Sequence, residues 1–298
     1  MNCQEKTGLV LEGGGMRGIY TAGVLDVFLE KGIAFDGVIG VSAGVVHGCS
    51  YLSGQRGRSI RYYKRYCRDW RFMSLWNFLL TGNMVGEKFC YHDLPDRLEP
   101  YDYEAFKRSK TEFYATCSNV ETGRPEYLRL TDMRTHVDIM RASASLPCIS
   151  RIVRINGMKL LDGACTDSVP VRAFRRMGFR KNVVVLTRQE GYVKKAEASA
   201  MVKLRYFRYP RFVRAVSRRH LDYNKTVRYI RRLEQAGEAF VLRPSKELTI
   251  GRMEHDPKKL QWTYDLGRLD TLRRLEELKQ WRENIKMTRA EDISGAIL

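Results

Sequence analysis

The chain has 298 residues, 44% of them hydrophobic, which is enough apolar material for a large core and excludes a disordered chain; we expect one elaborated domain. Its formal net charge of +19, from 53 Lys and Arg against 34 Asp and Glu, favours an anionic partner such as a nucleic acid, a phospholipid surface or an acidic protein. The seven cysteines lack paired CxxC spacing, so neither a disulfide framework nor a zinc site is indicated. No apolar run approaches the roughly 20 residues of a membrane span, and the polar residues 1–7 do not begin a secretory signal. We therefore expect a cytoplasmic protein, soluble or peripheral on the inner face of the membrane.

The amino-terminal sequence predicts two consecutive strand-helix units. Gly8 to Leu11 is a short apolar run that leads into a glycine loop, and 17–30 carries apolar residues at helical spacing. Gly37 to Val41 repeats this plan and leads into a small-residue helix at 43–51. Because consecutive units of this kind pair their strands in parallel, we expect an α/β fold with a mostly parallel central sheet covered by helices.

The remaining sequence predicts further elements of both kinds. Between 55 and 110, arginines alternate with aromatic residues, and we expect helices and a lid-like insertion there. Strands are predicted at 112–119, 126–130, 158–161, 182–187 and 239–242, and helices at 137–144 and 262–281. The apolar 182–187 run is typical of a fully buried parallel strand.

A serine directly after the second predicted strand is the first candidate for chemistry. Ser42 lies in the motif Gly40-Val41-Ser42-Ala43-Gly44. A strand that feeds a Gly-x-Ser-x-Gly turn and then a helix is a nucleophile elbow, in which the serine is held at an unfavourable backbone angle. A helix start capped by Ser42 is the alternative, and the five residues alone do not decide between the two.

The glycine loop between the first strand and the first helix is a second candidate, with the sequence Gly13-Gly14-Gly15-Met16-Arg17-Gly18. Its amide groups lie at the positive end of a helix, so they can bind an anion. The loop also satisfies the dinucleotide fingerprint, but the acid that binds ribose should end the second strand, whereas Asp36 precedes that strand and Ser42 ends it. No Gly-Lys-Ser/Thr follows, which excludes a Walker loop. This position favours an oxyanion hole, with Arg17 either bracing the loop or forming a salt bridge at the helix start.

A nucleophilic serine needs a proton acceptor. None of the five histidines has the strand-end context expected of such a base, and His47 is predicted on the helix after the elbow, directed away from the hydroxyl. Asp162 ends an apolar run and is followed by Gly163-Ala164. A carboxylate in this position, partly desolvated and bonded by adjacent amides, can accept the serine proton directly. An Asp-Gly turn without catalytic function is the alternative.

Taken together and in this order, the three motifs resemble those of the patatin-like phospholipase family, and Ala142-Ser143-Ala144-Ser145-Leu146-Pro147 adds to the likeness. The resemblance covers about residues 8–190. It implies a three-layer α/β fold, Ser42 as nucleophile, Asp162 as its partner in a Ser-Asp dyad, residues 13–18 as oxyanion hole, and hydrolysis of lipid acyl esters through an acyl-serine intermediate. It implies no catalytic histidine, metal or cofactor. Glu12 stands where many members have Asp, and Ala164 where others have Gly.

We divide the chain into a catalytic core at 1–190 and a basic region at 191–298 that completes the same domain. Between Lys194 and Arg232 cations alternate with aromatic residues, which suits an anionic membrane surface. A solvated helix face is a close alternative, and a single-stranded nucleic acid is the least favoured one. For the whole protein, two alternatives to a lipid hydrolase stay open: a non-catalytic module that binds an anionic ligand, and a dinucleotide-dependent enzyme.

Overall fold

The computed structural model describes residues 6–197, 200–251 and 253–284. The strands are β1 (Thr7–Leu11), β2 (Gly37–Val41), β3 (Glu112–Asn119), β4 (Pro125–Leu130), β5 (Val153–Ile155), β6 (Met158–Asp162), β7 (Lys181–Val185) and β8 (Ala239–Leu242). The helices are α1 (Ile19–Glu30), α2 (Ala43–Leu52), α3 (Arg58–Tyr66), α4 (Leu75–Thr81), α5 (Tyr103–Arg108), α6 (Val137–Ser143), α7 (Val171–Arg176), α8 (Ala200–Arg205), α9 (Pro210–Gln235) and α10 (Pro257–Arg273). Short 3-10 turns lie at Gly15–Gly18 and Gly163–Cys165, and a π-helix spans Phe89–Leu98. The chain is helical again at 275–284.

One mixed sheet forms the centre of the fold, in the order β5-β6-β3-β2-β1-β7-β8, with β4 also paired to β3. The five neighbours from β3 to β8 are parallel, whereas β4 and β6 each run antiparallel to β3 and β5 runs antiparallel to β6. The parallel strands are apolar and almost completely buried, as expected where helices cover both faces. The predicted three-layer α/β fold with a mostly parallel sheet is confirmed.

Side chains alternate between two cores, one on each face of the sheet. Leu9 and Val38 pack on one face with α1 and α2. Val10 and Ile39 pack on the opposite face with Phe174 of α7 and with α9. Helices therefore cover both faces of the sheet.

The described part of the basic carboxyl-terminal region lies on this same sheet. β8 pairs with β7, and α10 packs against α1 with glycines at the crossing. A Cβ atom at Gly267 would lie 2.1 Å from the Tyr20 carbonyl oxygen. The division into a catalytic core at 1–190 and a basic region at 191–298 stays a prediction. Residues 1–5, 198–199, 252 and 285–298 of these two ranges lie outside the described residues.

Several element boundaries differ from those predicted. The 262–281 helix is instead α10, which begins at Pro257 behind the Asp256 cap and ends at Arg273, followed by a separate helical stretch. β7 ends at Val185 rather than at 187, because the Thr187 amide bonds to the Glu12 carboxyl instead of to a strand. The β5–β6 hairpin is absent from the prediction, although its Asn156-Gly157 turn, with both φ angles positive, is a strong hairpin signal.

Candidate active site

The register of the sheet brings the three sequence motifs to one level. Leu11 pairs with Gly40, Val41 with Thr116, and Cys117 with Asp162. The glycine loop, the serine motif and the Asp162 motif therefore meet where the parallel strands β1 and β2 end. This juxtaposition is what the strand-end positions in the sequence predict.

Ser42 lies in a strained turn between β2 and α2. Its φ of 54° and ψ of −122° are a conformation that L-residues rarely adopt, and such a residue costs about 1–3 kcal/mol unless its surroundings hold it in place. Gly40 and Val41 end β2, and Ala43 and Gly44 begin α2. This backbone conformation is the one expected of a nucleophile elbow, and the assignment of the elbow stays a prediction.

Ser143, at the end of α6, connects the elbow to the neighbouring strand β3. Its Oγ accepts the Ser42 backbone N–H at 3.0 Å and donates to the Thr116 carbonyl at 2.7 Å. The side chain is completely buried. In the sequence, the 142–147 segment stands out only by its likeness to the family, and nothing there predicts a role for Ser143.

The glycine loop lies directly against the elbow. A Cβ atom at Gly13 would be 2.9 Å from the Val41 carbonyl oxygen and 3.0 Å from the Ser42 Cβ, so only glycine permits this approach. Gly15 has a φ of +57° and opens the 3-10 turn that also contains Met16, Arg17 and Gly18. Among the described residues, no acceptor receives the amide protons of Gly13 or Gly14. These donors therefore lie beside the serine with their capacity unused.

A buried carboxyl fixes the other side of the loop. Glu12 accepts the Thr187 backbone N–H at 2.6 Å, and the Thr187 hydroxyl donates to the Gly13 carbonyl at 3.1 Å. Burial raises the pKa of Glu12, while its contacts with Thr187, the Tyr223 hydroxyl and Arg17 act in the opposite direction. The loop is thus joined to the end of β7 and to α9.

Asp162 is held rigidly at the end of β6. One of its carboxylate oxygens accepts the Ala164 N–H at 2.8 Å, and its own N–H donates to the Ser145 carbonyl at 2.8 Å. The following Gly163 approaches the Thr116 backbone closely, since a Cβ atom there would lie 2.2 Å from its oxygen. The side chain is buried. The carboxylate is therefore desolvated and bonded by an adjacent amide, and its catalytic role stays a prediction.

No histidine lines either of the two pockets that Ser42 borders. His47 lies on α2 with its Nδ1 hydrogen-bonded to the Ser59 hydroxyl at 2.9 Å. Burial lowers the pKa of His47 to about 3, so the ring is neutral at physiological pH. Its hydrogen bond joins α2 to α3, and a purely structural role for His47 stays a prediction.

One of these pockets is an apolar cavity of about 150 Å³ that begins at Ser42 and Gly15. Its wall consists mostly of aliphatic and aromatic side chains, including Val46, Phe72, Met84, Leu94, Met133 and Met140. Among the residues that the structure describes, Arg58 is the one charged side chain in its lining. The Arg58 guanidinium donates a hydrogen bond to the Glu99 carbonyl and makes cation–π contacts with the rings of Tyr62 and Tyr101. Such a cavity suits a hydrocarbon chain.

The second pocket that Ser42 borders is more polar. Gly13, Gly14 and Asp162 line it together with four cations, which are Arg17, Arg188, Lys194 and Arg219. Lys194 and Arg219 approach the Glu197 carboxylate at 3.6 and 4.0 Å. Arg188 stacks over the ring of Tyr192. Cations thus outnumber carboxylates around this pocket.

The predicted membrane-contacting segment, 194–232, forms α8 and most of α9. Its cations are largely exposed, but three of its six aromatic residues, Tyr206, Phe212 and Tyr223, are buried in the protein core. These three rings stabilise the fold and cannot contact a membrane, which corrects the interpretation of the alternating pattern. The anionic-surface prediction then depends on the exposed cations and on the aromatic rings that are not buried, of which Phe207 is the most exposed.

No helix within the described residues has both the length and the hydropathy to cross a bilayer. No group of three or more His, Cys, Asp or Glu side chains in that part of the chain could hold a metal ion.

Comparison with known proteins gives matches to both halves of the chain. A family model described as patatin-like phospholipase matches residues 9–175, and a model for a domain of unknown function, DUF6363, matches 209–283. The Escherichia coli protein YjjU is 31% identical over 184 residues, 60% of this chain and 51% of YjjU. The lysophospholipase NTE1 of Cryptococcus neoformans is 30% identical over 193 residues, 61% of this chain and 11% of NTE1. VipD from Legionella pneumophila aligns with 92% of this chain and 67% of its own, at a TM-score of 0.43 and 12% identity.

Proposed function

The chain belongs to the patatin-like phospholipase family, whose model matches more than half of its length, and from this premise we propose that it is a serine-dependent lipid acyl hydrolase with a Ser42–Asp162 dyad. The observation that carries the proposal is the position of Ser42, in a strained elbow beside unused loop amides and in the same pocket as a buried carboxylate. No histidine competes for the role of base.

The proposed reaction has two halves. The Ser42 Oγ attacks the ester carbonyl carbon while its proton passes to the Asp162 carboxylate, and the oxyanion is stabilised by amides of the 13–18 loop. The carbon–oxygen bond to the alcohol then breaks, the alcohol takes the proton from Asp162, and an acyl-serine remains. Water attacks this ester in the same way, giving its proton to Asp162, and the Ser42 oxygen leaves and is reprotonated.

The two pockets indicate which ester would fit. The apolar cavity accepts the acyl chain, and the leaving alcohol faces the pocket with Arg17, Arg188, Lys194 and Arg219. Cations at this position favour an alcohol that carries a phosphate. We therefore place phospholipids and lysophospholipids ahead of neutral glycerides as substrates.

A fluorophosphonate probe followed by kinetics tests the proposal. Labelling should occur on the wild type and disappear in Ser42→Ala. Asp162→Asn should lower kcat for a lysophospholipid by about 10²–10⁴-fold, the usual contribution of a general base. Asp167→Asn is the matched control, because Asp167 is a half-buried carboxylate five residues away that accepts from the Tyr127 hydroxyl and lines neither pocket at Ser42.

Two outcomes would contradict the proposal. Folded wild-type protein that is not labelled would favour a non-catalytic module that binds an anion on the same loop. Full activity in Asp162→Asn would move the base to another group.

The exposed cations of 194–232 form a second part of the proposal. They support binding to an anionic membrane surface, where such substrates are found. A nucleic acid as partner is less favoured, because three of the aromatic rings that could stack on bases are buried.

A further inference from the structure

Helix α4 has its polar and apolar faces the wrong way round for a helix on the surface of a water-soluble protein. Leu75, Trp76, Leu79 and Leu80 are each between 66% and 72% exposed, whereas Asn77 is buried. Four large apolar side chains in a seven-residue helix thus face outward. Exposed apolar patches of this kind mark an interaction surface.

The inverted orientation is fixed by hydrogen bonds. The Asn77 amide donates to the carbonyls of Trp70 and Arg71 at 2.7 and 3.1 Å, and the Ser74 hydroxyl caps the helix by accepting the Asn77 N–H. Gly82, with a φ of +75°, ends it. Because the buried contacts of the helix are polar and specific, α4 cannot turn its leucines inward without losing them.

The segments on both sides of α4 lead into the apolar cavity. Met73 forms a bridge with Val85, and the Ser74 N–H donates to the Met84 carbonyl. Met73, Met84 and Val85 all line the cavity that ends at Ser42. The exposed leucines of α4 therefore continue the apolar wall of the cavity to the outside.

A second exposed apolar set lies across the loop at 148–151. On one side of this loop the Met84 N–H donates to the Ile149 carbonyl, and on the other the Cys148 N–H donates to the Tyr206 hydroxyl. Tyr206 follows α8, where Met201, Leu204 and the adjacent Phe207 are exposed. We define the apolar rim by these residues and the α4 set: Trp70, Leu75, Trp76, Leu79, Leu80, Met201, Leu204 and Phe207.

We propose that the apolar rim inserts into the interfacial layer of a phospholipid bilayer and opens the cavity onto the acyl chains. The rim combines leucines with tryptophans, which prefer this layer, and Arg151, Arg205 and Arg208 are exposed beside it. Its continuity with a cavity for hydrocarbon favours lipid over a second protein as the occupant. The choice of lipid as occupant rests on the proposed function; the membrane contact itself does not require catalysis.

The test is partition onto phosphatidylcholine vesicles, measured by co-sedimentation with Ser42→Ala protein so that no lipid is hydrolysed. Leu75→Ser/Leu79→Ser/Leu80→Ser should bind at least tenfold more weakly than its parent. The matched control is Leu221→Ser/Leu269→Ser/Leu272→Ser, which removes three exposed leucines from α9 and α10 and should bind like the parent. Thermal melting of both variants checks that the fold is retained.

A spectroscopic measurement locates the contact directly. With Trp262 and Trp281 replaced by Phe, the remaining tryptophans are Trp70 and Trp76, and their emission should shift to the blue on vesicles and be quenched by brominated acyl chains. Unquenched emission, or equal loss of binding in the two leucine variants, would overturn the proposal. So would a dimer of the parent that the rim variant converts to a monomer, since the rim would then be a protein interface. Vesicle binding without any fluorophosphonate labelling would refute the proposed function and leave the rim intact.

Discussion

Ser143 is the residue on which the position of the proposed nucleophile, Ser42, depends most directly. It accepts the Ser42 N–H and donates to the Thr116 carbonyl, and so connects the elbow to β3 through one buried hydroxyl. The amide of a residue in a strained conformation has no other way to be fixed, because neither helix nor sheet geometry continues through it. We infer that Ser143 is a positioning residue for the proposed reaction.

Replacing Ser143 with alanine tests this role. The Ser42 amide would lose its acceptor in a buried place, which costs about 1–3 kcal/mol of stability, and kcat should fall while KM changes little. Ser145→Ala is the control, since it removes a neighbouring hydroxyl that donates to the Arg141 carbonyl and does not touch the elbow. Chemical denaturation and steady-state kinetics measure both effects. Equal kcat values in the two variants would show that Ser143 contributes to packing and stability but does not position Ser42.

At the scale of elements, the crossing of α1 and α10 decides how the carboxyl-terminal region joins the fold. The backbones approach so closely that a Cβ atom at Gly23 or Gly267 would lie 2.1 Å from a carbonyl oxygen of the other helix. Alanine is a better helix former than glycine by up to about 1 kcal/mol. Here the clash is with backbone, which cannot rotate away, so the steric term outweighs the gain in propensity.

Gly267→Ala is therefore expected to destabilise the protein, by about 1–3 kcal/mol or more. If the two predicted ranges form one domain, the variant should unfold in denaturant in one cooperative transition with a lower free energy of unfolding. The activity of the proposed amino-terminal site should fall as well. Gly251→Ala serves as control, because its Cβ would meet nothing closer than 3.6 Å. Two separate unfolding transitions would instead divide the chain into independent domains.

The motifs with fixed spacing could be recognised from the sequence alone, because each combines a strand end with residues of special conformation. Ser42, Asp162 and the loop at 13–18 are of this kind. Ser143, Thr187 and Tyr223 could not be assigned in this way, since their partners lie far along the chain and depend on the register of the sheet. The sequence also gives no sign that Asn77 faces inward and its leucine neighbours outward, because hydropathy alone predicts the opposite orientation.

At the scale of the whole molecule, the charge of +19 and the apolar rim would act on a membrane by different forces. Attraction between exposed cations and anionic lipids is screened by salt, with a contribution of about 1 kcal/mol per Lys or Arg near the surface. Insertion of apolar side chains is not screened. The salt dependence of binding therefore separates the two contributions.

Removing three exposed cations of the basic segment should weaken binding to phosphatidylserine vesicles at low salt by about 100-fold. The variant is Arg208→Gln/Arg211→Gln/Arg214→Gln. The control, Arg108→Gln/Lys110→Gln/Arg180→Gln, makes the same change of charge just before β3 and β7, at the opposite edge of the sheet from Ser42. Titration with vesicles at low and high salt gives both affinities. If the control loses as much affinity, net charge and not the segment attracts the membrane.

The left-handed backbone at Ser42 also separates what is best for folding from what is best for chemistry. Glycine adopts a φ of 54° without the steric penalty that a Cβ atom brings, so the most relaxed version of this turn is one that lacks the proposed nucleophile. By retaining serine here, the protein gives up part of a net stability that in most domains is only about 5–15 kcal/mol. Selection of variants of this chain for heat resistance alone would therefore favour Ser42→Gly, which removes the proposed catalytic hydroxyl.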